Sequence, residues 1–286
     1  MSNPTPACRV CSNPHQIRIG DLPLYVPGGQ APSDLLRCKN CGTWARSVNF
    51  ADPEIQKHFN VTSYTVPERE EQMRSARAEF FRSIIDLASR WIKAPTTGPQ
   101  VLDIGAAYGH LIDLYSETGA ECAAVELVDQ LRERLLAKGY AAYKTPQEIP
   151  AYARFDVITA IDSFYYFEQP EELLRALRPH LKSEGVLIVR LANRTPVFRL
   201  LQILGRPISR DLFGDVKHNF TYGGIRLLLE KTGYRIERVV LTEKGKKGMP
   251  FPKWLYYKLS PAISRITGLK LTPGMILVCR REDTWV

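Results

Sequence analysis

The strongest constraint in the sequence is an alternation of short apolar runs and amphipathic runs, beginning at residue 101 and opened by a glycine turn. Val101–Ile104 reads as a strand, His110–Glu117 as a helix closed by Gly119, and Cys122–Glu126 as a second strand. Val128–Lys138 reads as a helix closed by Gly139, and Ala141–Tyr143 as a weak third strand. Phe155–Ile161, a helix over Glu171–Leu181, and Val186–Leu191 continue the pattern. After a less regular stretch come a helix over Gly223–Thr232 ended by Gly233, a strand over Arg235–Leu241 and a last strand over Met275–Cys279. Strands separated by helices of this length need parallel crossovers. The pattern therefore predicts a doubly wound, mostly parallel α/β sheet with helices on both faces.

The first strand runs directly into Asp103-Ile-Gly105-Ala106-Ala-Tyr108-Gly109-His110. A strand, a glycine turn and a helix in that order let backbone approach a ligand at the C-terminal edge of the sheet. The second strand ends at Glu126, 23 residues after Asp103, where an acid can accept hydrogen bonds from ribose hydroxyls. Dinucleotide folds space their glycines as Gly-x-Gly-x-x-Gly so that a pyrophosphate can sit on the helix N-terminus. Here the spacing is Gly105-x-x-x-Gly109, with Asp103 two residues before the first glycine. A carboxylate beside the turn repels a diphosphate and suits a ligand carrying sulfonium and ammonium groups.

At these residues the chain resembles class I S-adenosylmethionine-dependent methyltransferases. Val-Leu-Asp103-Ile-Gly105-Ala-Ala-Tyr-Gly109-His-Leu looks like that family's first motif and Ala-Val-Glu126-Leu127 like its second. Phe155-Asp-Val-Ile-Thr-Ala-Ile-Asp162-Ser-Phe-Tyr165-Tyr166-Phe-Glu168-Gln-Pro170 looks like the fourth-strand motif, and Leu-Arg-Pro179-His-Leu-Lys-Ser-Glu-Gly185 like the lead into the fifth strand. The resemblance spans about residues 75–245. It implies that Gly105 and Gly109 shape a methionine pocket, that Glu126 holds a ribose and that Thr145 and Pro146 flank an adenine. Asp162 would line the site from strand four. The implied cofactor-binding set is Asp103, Gly105, Ala106, Tyr108, Gly109, His110, Glu126, Leu127, Thr145, Pro146 and Asp162. The family often has a further glycine where this chain has Ala107, whose methyl group is accommodated if the local φ is negative.

Residues 1–49 hold too few apolar side chains to make a core alone, and a metal cross-link would supply what is missing. Two Cys-x-x-Cys pairs, Cys8/Cys11 and Cys38/Cys41, are separated by 26 residues. Four thiolates at this spacing fill a tetrahedral zinc site and leave no open position, so the metal would be structural; iron is the competing ion. Cys122 and Cys279 lie in apolar runs and read as core residues. Joined to Asp21-Leu-Pro-Leu and Phe59-Asn-Val-Thr-Ser-Tyr64, the module looks like the N-terminal zinc domain of bacterial sugar C-methyltransferases. That resemblance implies that Tyr64 closes over a substrate cleft. No stretch here corresponds to those enzymes' further C-terminal domain. Of their Tyr-His-Glu-His catalytic string, only the last histidine has a counterpart, in Asp215-Val-Lys-His218. The expected divisions are a zinc-binding module over 1–64, a helical connector over 65–98, the methyltransferase domain over 99–245 and a C-terminal helix and strand over 246–286.

Methyl transfer asks the protein to align the nucleophile with the methyl group and to remove one proton. His218 is the first candidate base, because an imidazole titrates near neutrality, and Asp215 is the second. Tyr165 and Tyr166 are expected to wall the substrate pocket, and His110 to contact the cofactor or cap its helix. The expected substrate is a small molecule, saccharide, nucleotide-linked or natural-product intermediate, with O-methylation slightly ahead of C-methylation. A formal charge of +9 favours anionic partners. A nucleic-acid-modifying enzyme using the module is the alternative, although residues 1–49 carry only Arg9, Arg18, Arg37, Lys39 and Arg46 as lysine or arginine cations and no stable nucleic-acid complex is expected. The aromatic, basic stretch over 244–270 suits either contact with an anionic membrane surface or packing on the sheet edge. Pro261, expected to interrupt a long membrane-lying face, favours packing. The polar N-terminus and the lack of an apolar run of 18 residues lead to the expectation of a cytoplasmic protein.

Overall fold

A computed structural model describes residues 6–26, 29–56, 67–93, 98–241 and 251–282. The N-terminal region contains β1 (Gln16–Asp21), β2 (Leu24–Val26), β3 (Gly29–Ala31), β4 (Asp34–Cys38) and β5 (Trp44–Arg46). The helix α1 (Pro67–Ser89) leads to β6 (Gln100–Ile104), α2 (His110–Ser116), β7 (Glu121–Val125), α3 (Asp129–Ala137) and β8 (Ala141–Tyr143). The second half runs through β9 (Phe155–Ile161), α4 (Pro170–Leu177), β10 (Leu181–Ala192), α5 (Thr195–Ile203) and α6 (Arg210–Phe213). It ends with β11 (His218–Asn219), α7 (Tyr222–Lys231), β12 (Tyr234–Val240), α8 (Phe251–Thr267) and β13 (Gly274–Arg281).

Seven strands form the central sheet in the order β12-β13-β10-β9-β6-β7-β8. The pairs joining β8, β7, β6, β9 and β10 are parallel, whereas β13 runs antiparallel between β10 and β12. The sheet is thus doubly wound and mostly parallel, as the alternation predicts. From β6 the chain winds outward to β7 and β8, then returns to lay β9 on the other side of β6. That reversal opens a crevice at the C-terminal ends of β6 and β9.

Period-two side-chain alternation splits the core into two layers. Val101, Val157, Ile188 and Val278 point to the face covered by Phe81, Ile84 and Ala88 of α1. Leu102, Ile158, Leu187, Val189 and Leu277 point to the other face, where they join Leu174 of α4 and Leu228 of α7. Cys8, Val10, Leu22, Leu35, Cys38 and Trp44 of the N-terminal module belong to this second layer. The Trp44 ring meets Phe198 edge-on at 5.3 Å, and Phe198 stacks on Phe213 at 5.7 Å.

Three elements depart from the sequence expectations. The helix expected to reach Leu181 ends at Leu177: Pro179 offers no backbone N–H, residues 178–180 tighten into a 3-10 turn, and Leu181 already pairs with Phe155. The less regular stretch holds α5, α6 and β11, and β11 pairs antiparallel with β5, completing a four-stranded sheet in the order β1-β4-β5-β11. Pro261 does not interrupt α8, which continues through it. The helix is fastened on both sides of the proline: the Tyr256 hydroxyl donates to the Leu271 carbonyl at 2.5 Å and Ser264 Oγ accepts from the Leu271 N–H at 3.0 Å. No helix among the described residues is long and apolar enough to cross a membrane.

Candidate active site and cysteine cluster

A cleft of about 620 Å³ lies over the β6/β9 crevice. Its floor is the turn after β6. Gly105 has φ +72°, and a Cβ there would stand 2.5 Å from the Ser163 Cβ, so only glycine fits without displacing the turn that follows β9. Gly109 has φ +81°, and its hydrogen faces Leu135 of α3, where a methyl group would come within 2.6 Å. Ala107 corrects an expectation. Its φ is +51°, not negative, so its methyl group is carried in the left-handed region at a cost of about 1–2 kcal/mol.

Glu126 follows β7 and is buried at the cleft wall. One carboxylate oxygen accepts from the Ala107 N–H at 2.8 Å and the other from the Val128 N–H at 2.9 Å. Burial raises its pKa, and those two backbone donors oppose the rise. Asp103 lies deeper and does not line the cleft; it accepts from the Thr159 hydroxyl at 2.7 Å. Burial pushes it up to about 7, with the Thr159 bond opposing and Glu126 adding to the rise. Both acids are desolvated, Glu126 at the cleft wall and Asp103 beneath it, so a cation brought into the crevice would favour their charged forms.

Leu127, Thr145 and Pro146 line the same cleft, as does Asp162. Asp162 has φ +60° and accepts from Arg77 of α1 and Arg190 of β10, so its charge is already answered. Tyr165 and Tyr166 also line the cleft, with ring centroids 4.9 Å apart. Ala106, Tyr108 and His110 are buried behind the turn and do not line it. The Tyr108 ring stacks on His110 at 5.5 Å, and His110 Nε2 is 3.8 Å from a carboxylate oxygen of Glu70 on α1. Burial, then the Arg74 charge, lower the His110 pKa. Tyr64 lies outside the described residues.

The two expected bases are not brought to the cleft. His218 sits in β11, 1% exposed, beside Phe220 at 5.5 Å. Burial and the neighbouring Lys217 charge push its pKa down to about 3, so the ring is neutral and enclosed. Asp215 pairs with Arg210 at 3.3 Å at the surface between α6 and β11, and it does not line the cleft. Residue type is legible in the sequence; the enclosure of His218 in β11, paired with β5, depends on a tertiary contact that local sequence does not encode.

Several lining residues went unassigned in the sequence. Arg77 and Met73 reach the cleft from α1, Lys144 from the end of β8 and Phe50 from the N-terminal module. Glu168 joins them: it accepts from the Phe50 N–H at 2.8 Å, pairs with buried Lys217 at 3.0 Å and lies 3.6 Å from Arg9. Burial lowers the Lys217 pKa, and Glu168 opposes that fall. Glu168 was visible as part of the fourth-strand motif, but nothing local marked its partners, which lie more than 40 residues away.

The cysteine cluster assembles as the spacing predicts. The ligand atoms of Cys8, Cys11, Cys38 and Cys41 all lie within 4.8 Å of one another. Cys8 and Cys41 are 3.7 Å apart and Cys11 and Cys38 3.4 Å, against an edge of about 3.8 Å for four sulfurs at zinc–thiolate bonding distance. Arg46 ties the module to the main domain. It is fully buried and donates to the carbonyls of Leu22, Pro23 and Gly214, the last two at 2.9 Å.

Comparison with known proteins agrees with this geometry. A ubiquinone biosynthesis O-methyltransferase from Xanthomonas euvesicatoria pv. vesicatoria is 25% identical over 195 residues, covering 63% of this chain and 78% of that protein. A protein of the same description from Pseudomonas aeruginosa is 25% identical over 185 residues, covering 60% and 76%. The magnesium protoporphyrin IX methyltransferase of Synechocystis PCC 6803 shares the fold, with a TM-score of 0.51 at 14% identity, over 80% of this chain and 98% of that one. The family model described as a methyltransferase domain matches residues 71–239, more than half of the chain. The chain therefore belongs to the methyltransferase-domain family and is a methyltransferase.

Proposed function

We propose that the protein transfers a methyl group from S-adenosylmethionine to a hydroxyl oxygen of a small molecule. The carrying observation is the single cleft that joins the Gly105–Glu126 crevice to the tyrosine wall of Tyr165 and Tyr166. The donor set fits the cofactor. Buried Asp103 and Glu126 favour a cationic ligand over a diphosphate, and each Glu126 oxygen keeps a lone pair for a ribose hydroxyl after accepting its backbone N–H. The cofactor supplies an activated methyl group on a good leaving group. The chain's task is to place the acceptor, exclude water and take one proton. Support for an oxygen acceptor comes from the O-methyltransferase relatives.

Four carboxylates line the cleft. Glu126 holds two backbone donors, Asp162 two arginines, and Glu168 the Lys217 ammonium and the Phe50 N–H. Glu172, on α4, is exposed and carries no ion pair among the described residues. We assign it the proton-accepting role first expected of His218. The four-cysteine cluster is proposed to hold a structural zinc ion, which would cross-link the segment before β1 to the β4–β5 turn.

The test incubates the purified chain with S-adenosylmethionine and a panel of phenolic and saccharide acceptors, scored by mass spectrometry for one added methyl. Glu172→Gln is expected to lower kcat by about two orders of magnitude with KM little changed. Calorimetry showing uptake of NAD and none of S-adenosylhomocysteine would overturn the reading. Metal analysis is expected to give one zinc per chain, and a Cys8→Ser chain to lose it.

A further inference from the structure

The helix α8 is amphipathic the wrong way round. The side that packs on the protein carries Ser260 and Ser264, both nearly inaccessible. The side facing out carries the apolar residues. Phe251 is 68% exposed and Ile266 85%, with Leu255, Leu259 and Ile263 also exposed. At 3.6 residues per turn, Phe251, Leu255, Leu259, Ala262 and Ile266 fall within an arc of about 80°, roughly opposite the two serines. Core packing does not explain this stripe, because its side chains touch water and the buried side is hydroxylated.

Along this segment the charge has one sign. From Phe251 to Arg281 the sequence contains no Asp or Glu, while Lys253, Lys258, Arg265 and Lys270 fall on or just after the helix. Lys258 and Arg265 are exposed and border the apolar arc along one edge, and Lys258 Nζ stands 5.9 Å over the Trp254 ring. An apolar stripe bordered by cations and by an indole is what an acyl-chain boundary, a layer of phosphates and an interfacial zone would each accept. A second copy of the chain is a poor occupant. A two-fold pairing would set this acid-free helix against itself and bring its cations together without an acid on either helix to answer them.

We propose that the outer face of α8 docks on an anionic lipid bilayer, with the apolar stripe entering the headgroup–acyl boundary and Lys258 and Arg265 meeting lipid phosphates. The helix lies on the membrane without crossing it.

The test is co-sedimentation of the full chain with vesicles of phosphatidylcholine mixed with phosphatidylglycerol, against vesicles of phosphatidylcholine alone. Retention is expected on the anionic vesicles only, with release as salt is raised. The pair L255S and I266S, made together, is expected to weaken partitioning by about tenfold or more, because two buried apolar side chains are lost from the contact. L136S, at an exposed leucine of α3, is expected to change nothing. Thermal melts check that both variants fold. Three results would each overturn the proposal: no retention at low salt, equal loss with L136S, or a concentration-dependent dimer in sedimentation equilibrium that the double variant dissociates. The measurement involves no methyl transfer, so its failure and the failure of the proposed activity are separately visible.

Discussion

Replacing Gly105 by alanine tests whether the floor of the cleft is set by a contact with Ser163, just past β9, or by backbone conformation alone. Two costs combine at this position. A φ of +72° forces an L-residue into the left-handed region, for about 1–2 kcal/mol. The added Cβ would lie 2.5 Å from the Ser163 Cβ, and Ser163 cannot swing aside because its hydroxyl is bonded to the Ile104 carbonyl; relieving that overlap costs about 1–3 kcal/mol. Alanine restricts the unfolded chain and returns about 0.4–1 kcal/mol. The net expectation is a destabilisation of about 2–4 kcal/mol, or roughly 5–15 °C in Tm for a domain of this size. Ser163→Gly removes the opposing Cβ and leaves the φ penalty in place. In the double variant the contact cost disappears, so the cycle should show a coupling energy of about 1–3 kcal/mol. Denaturant and thermal melts of the four proteins measure it. Strict additivity, or a Gly105→Ala protein as stable as the parent, would refute the reasoning.

Glu126→Gln is expected to weaken S-adenosylhomocysteine binding by about one to two orders of magnitude in calorimetry, through loss of a charged acceptor. A second prediction concerns pH. Asp103 is raised from 3.8 to about 7, so the folded state binds more protons than the unfolded one across that window, and this group adds stability as pH falls. His218 is lowered from 6.5 to about 3, so it removes stability as pH falls through the window below 6.5. The two oppose each other, and Asp103→Asn should steepen the loss of unfolding free energy between pH 6.5 and 4 by up to about 1.4 kcal/mol per pH unit, read as a steeper fall of Tm. A variant whose Tm profile parallels the parent's would contradict this. Arg46→Ala strands three carbonyls that now share one buried guanidinium and should cost about 2–4 kcal/mol in a urea melt, with Arg46→Lys recovering little because an ammonium cannot fork among them.

The parts of the molecule legible in the sequence are those whose signal is local. The central stretches of strands β6, β9 and β10 are buried on both faces, so they read as mostly apolar runs, and the glycine turn after β6 carries its own conformational demand. The cysteine cluster was legible because ligand spacing is a property of the chain alone. Positions fixed by contacts distant in sequence were not. Ala107 gives no sign that its φ is positive, since the Glu126 carboxylate that captures its N–H is 19 residues away. His218 has the pKa of a base when read by type, and only the strand it joins shows it to be enclosed. Arg77 is one more cation on a helix as far as local sequence goes, and only the fold sets Asp162 opposite it.

The pairing of His218 with Ala45 also orders events during synthesis. When β5 leaves the ribosome its outer edge has no neighbour, and the two residues that cover it follow more than 170 positions later. The cysteine-bearing segment must therefore wait, open-edged, through the making of most of the catalytic domain. Cut away from that domain it would keep an unpaired strand, so it is not a portable cassette but a part that becomes whole only when the rest of the polypeptide arrives.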